Sequence, residues 1–156
     1  MHFERTFKAA GTEYADYDKM VPAPYLRGTF GLNGAPESVR IRITAAGFYD
    51  LYINGVRITK GILAPYIGNP DHVLVYDEYD LTPHVRKGKN VLGIILGNGF
   101  NNAYGGFIWD FDKAPFRSAP KCAFCVEADG KEVFSSRCTL RTAPSPILRD
   151  EYHEGE

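Results

Sequence analysis

Cysteine is scarce in this sequence, which has 156 residues and only three cysteines, Cys122, Cys125 and Cys138. An odd number of cysteines without a regular spacing argues against a disulfide scaffold. Cys122 and Cys125 form a C-x-x-C pattern, but the surrounding segment is typical of a strand. Residues three apart on a strand point to opposite faces. We therefore expect this pair neither to form a disulfide nor to share a metal ion.

Excess charge and long apolar runs are also missing. The formal net charge is −1, so there is no electrostatic reason to expect a nucleic acid or an anionic membrane as a partner. No apolar run approaches the roughly 20 residues that cross a bilayer. Residues 1–11 lack the apolar region of a signal peptide. We expect a cytoplasmic location if Met1 is the native start.

The sequence contains no pattern that indicates a metal ion or a cofactor. Its four histidines are scattered, without the spacing of a zinc site. The segment Gly97-Asn98-Gly99 lacks the helix that follows a phosphate-binding loop. We therefore predict no metal site and no cofactor.

Several segments alternate between apolar and polar residues with a period of two, which is typical of half-buried strands. Asn54-Gly55 favours a type I′ hairpin turn between two of them, and Thr82 and Pro83 favour one helical turn, with Thr82 as its N-cap. Residues 91–96 are nearly all apolar, as in a central strand covered on both faces. The predicted strands are residues 25–30, 38–44, 48–53, 56–58, 73–79, 91–96, 121–128, 132–134 and 139–141, and residues 146–152 are a possible edge strand.

These short strands and the frequent turns predict an all-β jelly-roll β-sandwich. Residues 1–21 are the least strand-like part and are expected to be an N-terminal arm or the end of a preceding segment. Residues 22–156 would then form the β-sandwich module. Residues 97–120 form a long irregular loop, which we expect to close over one end of the sandwich. Loops of this length are usually functional or disordered, and its many aromatic residues argue against disorder.

Five segments together resemble one known family, and no one of them is specific alone. They are PYLRGTF at 24–30, ITAAGFYDLYING at 43–55, YDEYDLT at 76–82, NVLGIILGNGF at 90–100 and SPILRDEYHEGE at 145–156. In this order and spacing they resemble the N-terminal module of bacterial α-L-rhamnosidases of glycoside hydrolase family 78. The resemblance covers residues 22–156.

The resemblance implies a galactose-binding-domain-like β-sandwich. In the full enzymes, which hydrolyse terminal α-L-rhamnose from glycosides, further β domains and an (α/α)6 barrel follow this module, and the barrel carries the catalytic carboxylates. We therefore expect a fragment that lacks the catalytic domain, with the other domains of the parent rhamnosidase as its partners. Some related modules bind L-rhamnose through calcium with an acidic and amide pair. Ala46 and Gly47 stand at that place here and offer no side-chain oxygen.

The loop 97–120 also contains the best candidates for contact with a rhamnose-containing carbohydrate. Amides, a carboxylate and aromatic rings suit the hydroxyl groups and the C–H face of a sugar. The candidates are Asn98, Asn101, Asn102, Tyr104, Trp109 and Asp110. A structural role for each asparagine is an equal alternative, because asparagine satisfies loop backbones.

Three functions remain open at this point. The first is an accessory domain that serves interdomain packing and extends the sugar site, and the second is an independent lectin-like domain. The third is a small hydrolase that uses Asp110 and Asp112, for which glycoside hydrolysis requires two carboxylates about 5 to 10 Å apart. The structural alternative is that these two aspartates accept hydrogen bonds from nearby backbone N–H groups of the loop. We predict no catalytic residue in this chain.

Overall fold

The computed structural model describes residues 6–68, 72–104 and 109–151, which contain ten strands and three short 3-10 turns. The strands are β1 Lys8–Ala9, β2 Pro24–Leu32, β3 Val39–Ala46, β4 Phe48–Ile53, β5 Val56–Arg57, β6 Asp77–Asp80, β7 Gly88–Gly97, β8 Lys121–Ala128, β9 Lys131–Ser135 and β10 Arg141–Pro144. The 3-10 turns are Thr82–His84, Gly99–Asn102 and Phe111–Lys113.

The strands form two five-stranded sheets in which every pairing is antiparallel. Sheet A has the order β1-β8-β3-β6, and β9 also pairs with β8. Sheet B has the order β10-β2-β7-β4-β5. The predicted all-β sandwich is therefore confirmed, whereas its finer description as jelly-roll and galactose-binding-like stays a prediction.

The alternation in the sequence determines which side chains enter the core between the sheets. In β2 every second residue is buried, so that Leu26 and Phe30 face inward while Tyr25 and Arg27 face solvent. Phe30 and Phe124 each pack against Phe134, with ring centroids 5.5 Å apart in both pairs. Each large apolar side chain buried in this way contributes about 1.5–3 kcal/mol to folding.

The hairpin between β4 and β5 forms at Asn54-Gly55 as predicted. Asn54 has φ of 50° and Gly55 has φ of 87°, the positive values that a type I′ turn requires at both central positions. The side chain of Asn54 also accepts a hydrogen bond from Val91 N and donates one to His84 O. The turn is thereby attached to the neighbouring strand β7.

Several predicted details were wrong. Residues 73–76 are not strand, because Val73, Leu74 and Tyr76 are exposed and pairing with β3 begins at Asp77. The last strand covers Arg141–Pro144 rather than 139–141, and residues 146–150 are not strand. Residues 152–156 lie outside the described residues.

Two further expectations need correction. The 3-10 turn at Thr82–His84 is present, but Leu81 is its N-cap and Thr82 instead accepts a hydrogen bond from Val39 N. Strand β7 is central, between β2 and β4. However, only its inner face is buried, and Val91, Gly93 and Ile95 on its outer face are half-buried.

The described part of segment 1–21 packs against the sandwich. Strand β1 pairs with β8, with Lys8 opposite Cys122. Ala15 is buried and donates its N–H to Asn102 Oδ1. The division into an arm and a module at residue 22 stays a prediction, and residues 1–5 lie outside the described part of the chain.

Candidate functional site

The loop 97–120 connects β7 of sheet B to β8 of sheet A. Its described residues are 97–104 and 109–120, with 105–108 outside the description. One hydrogen bond, from Gly47 N to Asn101 Oδ1 at 3.1 Å, attaches the loop to the turn between β3 and β4. A side chain at Gly47 would be strained, because its φ is 104° and a Cβ there would lie 2.3 Å from Gly97 O. The loop therefore passes directly over this end of the sandwich.

Two of the candidate asparagines are buried, and their amides already have protein partners. Asn98 Nδ2 donates to Val21 O at 2.7 Å and to Asp150 O at 3.1 Å. Asn98 Oδ1 accepts a hydrogen bond from Asn102 Nδ2 at 2.8 Å, and Asn102 Oδ1 accepts the N–H of Ala15. These side chains hold the N-terminal segment, the loop and the C-terminal segment together.

Asn101 and Tyr104 are also engaged within the protein. Besides its bond to Gly47, Asn101 donates from Nδ2 to Phe116 O at 3.5 Å. Tyr104 is 8% exposed, and its ring centroid lies 4.4 Å from that of Tyr17. Both side chains order the loop in this structure.

Trp109 and Asp110 are the two candidates that face solvent. Trp109 is 61% exposed and stacks on Phe111 with ring centroids 6.0 Å apart, and Phe111 in turn meets Phe100 edge-on at 5.3 Å. Asp110 lies beside this aromatic row. The structure therefore brings Trp109 and Asp110 to the surface and separates them from the four buried or half-buried candidates.

The geometry of Asp110 and Asp112 is that of surface loop residues. Asp110 has a left-handed φ of 49°, and its carboxylate accepts Lys113 Nζ at 2.9 Å in an exposed ion pair. Asp112 is exposed as well. Solvent screens both carboxylates, so neither has the enclosed setting in which a general acid or base usually acts.

Neither a metal centre nor a membrane span is visible in the described residues. Within 6–68, 72–104 and 109–151, no group of three or more His, Cys, Asp and Glu is placed to hold a metal ion. No helix in the same ranges has the length and apolar character needed to cross a membrane.

Sequence reasoning missed an exposed apolar surface next to the loop 97–120. It is formed by seven side chains of residues 62–76, and we call it the apolar loop surface. Its members and their exposed fractions are Ile62 86%, Leu63 56%, Tyr66 80%, Ile67 45%, Val73 60%, Leu74 44% and Tyr76 46%. Tyr66, Ile67, Val73 and Leu74 line one depression together with Phe100 and Asn101, so this part of the surface adjoins the candidate loop. Ile62 and Leu63 line a second depression, and Phe48 contributes to both.

One sequence signal could have revealed this surface. The segment Ile62-Leu63-Ala64-Pro65-Tyr66-Ile67 is apolar throughout but has neither the alternation of a strand nor the period of a helix. A helix or strand buries its apolar side chains when they repeat with its period and so share one face. A segment without either period cannot bury all its apolar side chains in this way. The sequence did not indicate what would cover them.

Comparison with known proteins identifies a family. A family model described as the α-L-rhamnosidase N-terminal domain matches residues 34–156. An α-L-rhamnosidase of Formosa agariphila is 37% identical over 78 residues, which is 50% of this chain and 8% of that protein. An α-L-rhamnosidase of Streptomyces avermitilis is 29% identical over 121 residues, which is 75% of this chain and 12% of that protein.

Solved structures agree with the sequence comparison. The crystal structure of Streptomyces avermitilis α-L-rhamnosidase in complex with L-rhamnose matches with a TM-score of 0.76 and 28% identity, over 86% of this chain and 13% of that chain. The α-L-rhamnosidase of Aspergillus terreus matches with a TM-score of 0.79 and 21% identity, over 96% of this chain and 18% of that chain, and supports the fold alone. The chain thus spans a small part of the length of each of these relatives.

Proposed function

Because the chain belongs to the family of α-L-rhamnosidase N-terminal domains, we propose that it is a non-catalytic module of a larger α-L-rhamnosidase and packs against the neighbouring domains of that enzyme. The relatives support this role, since the matched parts of the chain cover only 8% and 12% of two α-L-rhamnosidases. The expected partners are therefore the remaining domains of such an enzyme.

The observation that carries the proposal is the apolar loop surface. Ile62 is 86% exposed and Tyr66 is 80% exposed, although burying a large apolar side chain contributes about 1.5–3 kcal/mol. Single exposed apolar residues are common, but seven within one short segment mark an interaction surface. A neighbouring domain would remove these side chains from water.

The setting of the carboxylates in the loop supports the non-catalytic part of the proposal. Glycoside hydrolysis requires an acid and a second carboxylate on opposite sides of the scissile bond. Asp110 is paired with Lys113 in solvent, and Asp112 is exposed next to it. We therefore assign bond cleavage to another part of the parent enzyme.

The test compares substitutions of the apolar loop surface in the isolated chain and in the full-length enzyme. Ile62→Ser combined with Tyr66→Ser should leave the free energy of unfolding of the isolated chain within about 0.5 kcal/mol, because both side chains are exposed. In the full-length enzyme the same pair should lower the temperature of inactivation and expose the domain junction to protease. Val56→Ser, at a side chain that is 47% exposed on β5, is the matched control.

Two results would contradict the proposal. If the paired substitution left the full-length enzyme as stable as the Val56→Ser control, the apolar loop surface would not be an interdomain contact. If the isolated chain cleaved an aryl α-L-rhamnoside at an enzyme-like rate, the module would be catalytic.

Contact with a rhamnose-containing carbohydrate is the second candidate function, either within the parent enzyme or as an independent lectin-like domain. The exposed ring of Trp109 beside Asp110 favours it, since a ring and a carboxylate suit the two surfaces of a sugar. Calorimetry with L-rhamnose should then show binding that Trp109→Ala removes and that D-galactose does not reproduce. Equal heats for the wild-type chain and Trp109→Ala would eliminate this candidate.

A further inference from the structure

The outer face of sheet B contains an open groove of about 670 Å³ at some distance in sequence from the loop 97–120. The register of the strands places Arg27, Gly93 and Tyr52 in one row across β2, β7 and β4. The next row places Tyr25 beside Ile95. Because Gly93 has no side chain, the sheet has a depression at this point, between the two tyrosines and the arginine.

Two arginines without acidic partners lie at the rim of this groove. Arg141 on β10 is directly opposite Arg27 on β2, and like charges directly opposite on a sheet repel each other. Among the described residues neither guanidinium has an ion pair. In contrast, Arg57 on the same sheet holds Asp50 at 2.7 Å, and Arg42 on sheet A holds Glu78 at 2.9 Å.

The two arginines and the two tyrosines together define the chemistry of a ligand. Arg27 and Arg141 offer planar donors that match a carboxylate in two-point contact. The rings of Tyr25 and Tyr52 and the apolar side chain of Ile95 offer surfaces for the C–H face of a pyranose ring. A ligand that combines an anionic group with a pyranose ring would therefore reduce the repulsion between Arg27 and Arg141. Its ring would at the same time cover Ile95 and the two tyrosine rings.

We propose that this groove binds an acidic sugar, a pyranose that carries a carboxylate or a sulfate, within an oligosaccharide. The inference rests on the proposed role of the chain in an enzyme that acts on glycans. It assigns the groove a ligand different from the neutral sugar considered for Trp109. The groove contains charged rim residues, whereas the apolar loop surface, which we assign to interdomain packing, is formed by apolar side chains alone.

The test is calorimetry on the 156-residue chain at low salt with three oligosaccharides of equal length, one containing uronic acid, one sulfated and one neutral. Either or both acidic probes should bind, and the neutral probe should bind at least about tenfold more weakly, because it cannot form charge-assisted hydrogen bonds with the two arginines. The difference between the two acidic probes identifies the anion. Arg27→Ala and Arg141→Ala should each weaken binding by about tenfold.

Matched variants separate the groove from general effects on charge and folding. Gly93→Leu should abolish binding while the chain stays folded, because a Cβ at Gly93 meets only Tyr52 Cβ, at 3.7 Å. Gly31→Leu lies on β2 outside the groove, where a Cβ meets nothing within 4 Å, and should bind as the wild type does. Lys89→Ala, opposite Gly31 on β7, is the control for the loss of one positive charge. Circular dichroism verifies the fold of each variant.

Three results would overturn the inference. They are no affinity for either acidic probe, equal affinity for the neutral probe, and an equal loss of binding in Gly31→Leu. Slower hydrogen exchange of β2 and β7 in the full-length enzyme, combined with no binding of acidic sugar, would assign the groove to a neighbouring domain instead. A failure here leaves the role of the apolar loop surface intact, since the two experiments use different substitutions.

Discussion

The hydroxyl group of Tyr49 donates a hydrogen bond to Asp77 Oδ2 at 2.5 Å and thereby joins the two sheets of the sandwich. Tyr49 belongs to β4 in sheet B, and Asp77 belongs to β6 in sheet A. The hydroxyl of Tyr79 lies 3.1 Å from that of Tyr49. Burial is the main cause that raises the pKa of Tyr49, and the hydrogen bond to Asp77 adds to it. The hydroxyl group of Tyr49 therefore stays protonated, and its hydrogen bonds with Asp77 and Tyr79 fix the relative position of the two sheets.

Tyr49→Phe should lower the free energy of unfolding by about 1–3 kcal/mol, because it removes a donor from the carboxylate of Asp77. Urea denaturation measures the change. Tyr52→Phe is the matched control, since Tyr52 lies on the outer face of the same strand and its hydroxyl has no partner among the described residues. If both variants were equally stable, the bond between the sheets would contribute nothing to folding.

The bond between Tyr49 and Asp77 shows what the sequence could and could not predict. The period of two predicted a strand over residues 48–53, and the structure confirms it as β4, with Tyr49 and Leu51 on its buried face. The sequence also contains the segment Tyr76-Asp77-Glu78-Tyr79, but nothing in its spacing states which residue of another strand it would face. Such pairs depend on how the two sheets stack, and local periodicity carries no information about stacking.

Other features that local sequence patterns could not predict have the same physical origin. Val73 and Leu74 were assigned to a strand because apolar residues usually indicate burial, yet both are exposed. The asparagines of the loop were grouped as candidate sugar contacts by residue type. The partners of Asn98 and Asn102 come from distant residues such as Val21 and Ala15, and contacts between residues so far apart in the chain leave no local pattern.

Arg42→Ala should be the most destabilising substitution among the charged residues of sheet A. The side chain of Arg42 is 10% exposed and bonds Glu127 through both terminal nitrogens at 3.1 Å and Glu78 through Nε at 2.9 Å. Its removal leaves the partly buried carboxylate of Glu127 without a cation and Glu78 with Arg40 alone, which costs about 3 kcal/mol. Arg40→Ala, on the same strand with a side chain 58% exposed, should cost at most about 1 kcal/mol. Equal losses in urea denaturation would contradict this ranking.

The stability of the fold should decrease in acid partly through Glu78. The hydrogen bond from Arg40 is the main cause that lowers the pKa of Glu78; burial opposes it, and Arg42 adds to the lowering. Because the pKa is lower in the folded state, the stabilisation is complete above the ordinary carboxyl pKa of about 4.3 and is lost as the pH falls below it. Glu78→Gln should flatten the dependence of unfolding free energy on pH in this range. Glu37→Gln, at an exposed residue without an ion pair in the described structure, is the matched control.

The three cysteines should differ in their reactivity toward a thiol reagent. Burial raises the pKa of Cys122 to about 12 and is also the main cause that raises the pKa of Cys125 to about 12. Both are free thiols, and Cys138 is exposed. Because the thiolate is the reactive form, the native chain should consume one equivalent of reagent rapidly, and the other two should react only after denaturation. The loss of the rapid phase in Cys138→Ser verifies the assignment, and rapid reaction of more than one thiol would contradict it.

Asn98→Ala and Trp109→Ala should distinguish the structural role of Asn98 within the loop from the role of Trp109 on its surface. Asn98→Ala leaves the carbonyl oxygens of Val21 and Asp150 without the side-chain amide group that donates hydrogen bonds to them at 2.7 and 3.1 Å. It also removes the acceptor that lies 2.8 Å from the buried Asn102 Nδ2, which then keeps only the longer bond to Glu13 O at 3.4 Å. The cost of these unsatisfied groups is about 3 kcal/mol. Trp109 is 61% exposed, so its removal should change the free energy of unfolding by about 0.5 kcal/mol or less.

Chemical denaturation of both variants and limited proteolysis near residue 21 provide the measurements. In Asn98→Ala the N-terminal segment should become cleavable, because the bond from Asn98 Nδ2 to Val21 O and the bond from Ala15 N to Asn102 Oδ1 depend on the same pair of amides. If Asn98→Ala were as stable as the wild type, the amide would be free for another partner, and the carbohydrate hypothesis would again include the asparagines. If Trp109→Ala were strongly destabilised, the aromatic row of Phe100, Phe111 and Trp109 would be part of the core of the loop rather than a surface for a ligand.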